Sequence, residues 1–102
     1  TNMLASKIEG IRVFKFMNGE EVIARCTQLD NGNYQLTSPL RVVVQRAPDG
    51  NFAPAFTTWL VTGREEHEVY ASQIMVVPYE PPLEFHNEYV KSTSRLDLST
   101  AM

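Results

Sequence analysis

The chain has 102 residues, 43% of them apolar, and a formal net charge of −3. That length makes one domain with a modest core, which self-association would help, and the apolar content excludes general disorder. No run of about 18 apolar residues occurs, so no transmembrane helix is expected, and the overall charge argues against a broad coat for nucleic acid.

The charge is unevenly spread. From Ile11 to Arg46 five basic residues face three acids, a local balance of +2, whereas from Glu65 onward seven acids face only Lys91 and Arg95, a balance of −5. The first region reads as solvated strand faces or as a local basic surface. Thr1 to Gly10 lacks a basic start followed by an apolar stretch, so no secretory leader is expected. Leu4 and Ile8, four apart, allow a single helical turn there. Cys26 is the only cysteine, which rules out an internal disulfide. In its apolar strand it reads as a small buried hydrophobe rather than a reactive thiol, and an intracellular, cytoplasmic location fits.

Ile11 to Met17 is a strand rich in aromatic and β-branched residues. Both of its alternating sets, Ile11/Val13/Met17 and Phe14/Phe16, are largely apolar. Such a strand is buried on two sides, by a core within and by a helix or a neighbouring subunit without. Met17-Asn18-Gly19-Glu20 then reverses the chain, and Glu21 to Leu29 is the second strand. Leu29-Asp30-Asn31-Gly32-Asn33 makes the next reversal, because Asn-Gly and Asp-Gly supply the positive φ that tight hairpins need.

Tyr34–Thr37 and Leu40–Gln45 follow, separated by Ser38-Pro39. Pro39 cannot donate to a ladder, so it marks an edge, a bulge or a sharp bend. Ala47-Pro48-Asp49-Gly50-Asn51 is the third turn, and Phe52 to Val61 the fourth strand. Thr62 to Glu68 is a charged surface segment, Glu68–Tyr70 resumes extended structure, Ala71–Gln73 turns, and Ile74–Val77 is the last strand.

Pro78 to Pro82 ends the sheet. Pro82 suits a helix start, since its fixed φ fits the first turn and its missing N–H leaves nothing unpaired there. A helix over about 82–91 follows, with Phe85 and Tyr89 stacked at i, i+4. Glu84 and Lys91 complement its dipole, and Ser92 to Met102 reads as a frayed tail. The expected domain plan is residues 1–10, a β domain at 11–79, and a helical end at 80–102.

Catalytic chemistry finds no foothold. His67 and His86 stand in no ligand spacing with Glu65 or Glu68, so no metal or other cofactor is expected. Glu20-Glu21 and Glu65-Glu66 are adjacent pairs whose members point different ways in a strand. There is no Gly-rich phosphate loop and no G-x-S-x-G. Asp30, Asn31 and Asn33 read as turn residues bonding their own backbone or as a loop facing RNA. Trp59 and Tyr34 read as packing residues in a core or subunit interface or as platforms on which bases stack.

Five short strands joined by tight turns resemble the Sm-like (LSm) family. The likeness is best over Val13–Ala24, with Val69–Ile74 as a counterpart of the family's second motif. Met17 to Ala24, Thr37–Leu40 and Ile74–Pro81 look like small Sm-like proteins of marine cyanophages. The resemblance implies a small, strongly bent, five-stranded antiparallel barrel with, here, a short C-terminal helix. It implies a non-enzymatic protein that forms a homo-oligomeric ring of five to seven subunits, by pairing the fourth strand of one with the fifth of the next.

Trp59, Val61, Val69, Ile74 and Val76 would lie at that subunit interface. Single-stranded RNA would be held by Asp30, Asn31, Asn33, Ser72 and Gln73. Two departures stand out: the Asp30 turn is short, and Ala71-Ser72-Gln73 replaces the basic pair that such proteins carry before the last strand. The alternative is a structural ring that binds phage or host proteins and no nucleic acid, in the cytoplasm of the host cell.

Overall fold

A computed structural model describes residues 7–63 and 65–101, as backbone alone from residue 95. The helical turn expected within residues 1–10 falls largely outside the described residues. What is described there is extended: β1 (Glu9–Lys15) begins two residues before the predicted start. It is followed by β2 (Glu21–Gln28), β3 (Tyr34–Arg46), β4 (Phe52–Thr58), β5 (Glu66–Val69), a 3-10 turn at Ala71–Gln73 and helix α1 (Leu83–Ala101). The protein is therefore mainly β, with one five-stranded antiparallel sheet and one C-terminal helix.

The three hairpins share one construction. In each, a backbone N–H reaches across to the carbonyl four residues on (Phe16 to Glu20, Leu29 to Asn33, Ala47 to Asn51), and the loop glycine donates back to the first residue. Gly19, Gly32 and Gly50 have φ of 94°, 90° and 89°. The Asx residue before each glycine stays at negative φ, and its Oδ1 accepts the N–H two residues on, at 2.9 Å in all three turns. This is a three-residue loop with a left-handed glycine, not the two-residue turn with two positive φ angles. The glycine takes the strain, and the Asx side chain holds the corner.

β3 is the spine. Its residues pair with β2 along one edge and, along the other, with β5 through Tyr34–Thr37 and with β4 through Leu40–Arg46. The break between these two halves is the predicted bend. Ser38 sits at φ 51°, Pro39 is buried, and the opposite strand shifts register between Ile23 and Arg25.

The predicted last strand, Ile74–Val77, is not a regular strand. It is tethered to β1 by bridges Phe16–Ile74 and Val13–Tyr79, with Met75 N–H donating to the Lys15 carbonyl at 2.8 Å, and it bends at Met75-Val76. The 3-10 turn just before it and Pro78 just after it break the period-2 geometry a longer ladder needs. The strand ladders alone form an open sheet, β1-β2-β3-β4 with β5 beside β3.

Burial follows β1's double pattern. Phe14 and Phe16 join Val22, Ala24, Cys26, Tyr34, Leu36 and Val69 in one cluster, while Val13 and Ile23 meet Tyr89 of α1 on the opposite face. The outer cover is therefore the helix, one of the two options the sequence left open. That helix is longer than predicted, continuing past Lys91 to Ala101, and Thr93, placed in the frayed tail, is buried. Thr93 Oγ donates back to the Tyr89 carbonyl at 2.9 Å, so its hydroxyl is satisfied inside the helix.

Candidate functional site

Of the residues expected to face RNA, Asn31 and Asn33 converge on a glutamate of the sheet rather than on open solvent. Asn31 and Asn33 lie at the β2–β3 turn, and both side-chain amides donate to the same oxygen, Oε2 of Glu68 on β5, at 3.1 and 3.0 Å. Asn33 Oδ1 also accepts the Ala71 N–H at 3.0 Å, which ties the β2–β3 turn to the 3-10 turn. Asp30 is ion-paired with Lys7. Ser72 and Gln73 stand exposed beside this junction, and the Gln73 carbonyl is taken by the Met17 N–H.

Electrostatics at the junction are negative. Hydrogen bonds from Asn33 and then Asn31 hold the Glu68 carboxyl below its usual range, against a small opposing effect of desolvation. Glu68 was read from sequence as the end of a charged surface segment where extended structure resumes, and in no ligand spacing with the histidines. Nothing in the spacing between residues 31, 33 and 68 marks them as partners; the β3–β5 register does, by pairing Tyr34 with Val69.

The residues expected at a subunit interface divide. Val69 is buried in the chain's own core. Trp59 and Ile74 are half-buried against that core, and Trp59 stacks on Phe16 with ring centres 5.1 Å apart. Val61 and Val76 remain outward, at 85% and 46% exposure. Trp59 Nε1 also donates to Glu20 Oε1 at 3.0 Å. Glu20 accepts from Asn18 as well and lies 3.7 Å from Arg41, so its carboxyl too is held low, chiefly by the Trp59 bond.

Trp59, Phe16, Met17, Asn18, Glu68, Val69, Tyr70 and Gln73 line a cleft of about 280 Å³. Cys26 is apart from it, in the core, where burial pushes the thiol up to about 11 and keeps it protonated. Among the described residues no three of His, Cys, Asp and Glu cluster as metal ligands, and no helix is long and apolar enough to cross a membrane.

No protein-family model matches the chain, and no curated protein matches it in sequence.

Proposed function

We propose that this chain is a non-enzymatic, Sm-like barrel subunit that assembles with copies of itself into a ring. The observation that carries the reading is a pair of open, uncharged edges. From Phe52 to Gly63 and again from Val69 to Tyr79 the chain has no charged residue. Among the described residues β4 pairs only with β3, and the Ile74–Tyr79 segment only with β1. Edge strands that stay monomeric are normally blunted by charge. Two different open edges on one subunit make a head-to-tail contact, which closes into a ring when the rotation allows.

Curvature is supported by chain length. β5 ends on the outer edge of β3 at Val69, yet Ile74 already bridges β1, on the far side of β2. In a flat sheet that distance is four strand spacings, about 19 Å. A link of five steps, three residues of it in a 3-10 turn, spans only about 13 Å. A sheet rolled toward a barrel accommodates the link.

Light scattering at micromolar concentration tests the assembly. The native chain is expected to run as an oligomer, and Val76→Lys, which places a charge on one open edge, as a monomer with unchanged circular dichroism. A monomeric native chain would refute the ring.

The ring's task is best read as binding protein. At the junction of the two turns the amides of Asn31 and Asn33 are taken up by Glu68, an anion where RNA would need a cation. The second reading, single-stranded RNA, draws on Ser72 and Gln73, which are exposed beside that junction. Titration with oligo-U and oligo-A at low and high salt separates the two: the protein-binding reading expects no salt-dependent binding.

A further inference from the structure

The cleft around Trp59 sets an aromatic ring and a carboxylate in one lining. Its floor is aromatic. Trp59 stacks on buried Phe16 at an interplanar angle of 19°, and its indole N–H is bonded to Glu20, which favours one ring orientation. Tyr70, 67% exposed, and Met17 form walls. Among the described residues of the lining, the one group charged at neutral pH is Glu68. Its carboxylate is braced by Asn31 and Asn33 through Oε2, and these bonds favour the ionised form. Among the described residues no basic side chain lines the cleft.

We infer that this cleft receives an arginine side chain of a partner polypeptide. A guanidinium lies flat on an indole face and presents its N–H groups to a carboxylate at the same time. The cleft's volume of about 280 Å³ falls just short of the ~300–1,000 Å³ of pockets for drug-sized ligands, which suits a single side chain. The Asx turn at Asn31 and the indole bond to Glu20 set both recognition groups before the ligand arrives, and that lowers the entropy lost on binding.

Trp59 is the only tryptophan, so its fluorescence reports on this site alone. The full chain is titrated with a short blocked Arg-Gly peptide and with the same peptide carrying citrulline, which has arginine's shape without its charge. The arginine peptide is expected to shift Trp59 emission saturably, with the citrulline peptide about tenfold weaker or worse, the range of a hydrogen bond to a charged group. Glu68→Gln, folded by circular dichroism, should remove that discrimination, while Asp49→Asn, on the distant β3–β4 turn, should leave it intact. Equal binding of the two peptides, no shift with either, or an unchanged preference in Glu68→Gln would overturn the inference. A shift with oligo-U and none with the arginine peptide would overturn it too. Assembly is read separately by scattering, so failure of the ring and failure of the cleft are distinguishable.

Discussion

Tyr89 buries its whole ring and brings one hydroxyl to the place where the sheet's own hydrogen bonding breaks. It accepts the Arg25 N–H at 3.2 Å and faces the carbonyls of Ser38 and Thr37 at 2.8 and 3.2 Å. These backbone groups lie at the register shift and at the left-handed Ser38, where β2 and β3 cannot serve each other. Tyr89→Phe should therefore lower stability by about 1–2 kcal/mol, since the phenyl ring still packs but leaves partly buried backbone groups unpaired. Urea unfolding measures it, and a change of only a few tenths would sink the role. Gly50 tests the backbone alone, because an added Cβ there meets nothing within 4 Å. Gly50→Ala should destabilise by about 1–2 kcal/mol, the strain of a left-handed alanine, again read from the urea midpoint. The turn glycines and their Asx partners were plain in the sequence. Tyr89's hydroxyl was not: helical spacing marks it as an apolar stripe residue and is blind to the bulge it serves.

Among the elements, β1 was the most legible, because two apolar faces on one strand demand cover on both sides. β4 was placed but overextended. It stops at Thr58, where Trp59 turns inward to Phe16. The final segment and the helix end were misjudged for opposite reasons. Ile74–Val77 has strand composition, but a 3-10 turn and a proline confine it. Residues 92–101 look polar, yet they continue a helix already anchored by packing.

Pro54 has a further consequence. The Ala47 N–H bonds to Asn51, so alternation along the ladder makes residues 45/53 and 43/55 the bonded pairs. The nitrogen of Pro54 then faces outward, on the open edge. That leaves Phe52, Phe56 and Thr58 as outward donors and interrupts the edge between the first two. Pro54→Ala restores a donor at that position. It is expected to raise the mass-average size in light scattering at equal concentration, and an unchanged size would count against the β4 edge as an association surface.

For the molecule as a whole, charge and apolar surface are segregated. Glu20 and Glu68, the two carboxylates held low, flank the Trp59 cleft from the β1–β2 turn and from β5, and bind the β1–β2 and β2–β3 turns to the rest of the sheet. A depressed carboxyl contributes stability above its unfolded pKa, about 4.3 for glutamate, and loses it as pH falls through the folded value. Thermal stability should hold level above about pH 5 and decline below about pH 4. The double variant Glu20→Gln/Glu68→Gln should show a shallower acid slope, and a slope as steep as the native one would remove this origin. The cleft itself was only half legible. Trp59 was identified as an aromatic of interest, but Glu68 came into reach only through pairing across 35 residues of sequence separation from Asn33, which no local pattern encodes.

The contact between Tyr89 and Arg25 also sets an order in time. These partners are 64 residues apart, and synthesis proceeds from the N-terminus, so the first strands emerge long before their outer cover exists. Until Tyr89 has left the ribosome, Val13 and Ile23 present an apolar face to the cell, and the corner at Ser38 has no phenol to bond. The nascent sheet is thus an unfinished surface until helix α1 arrives to complete it.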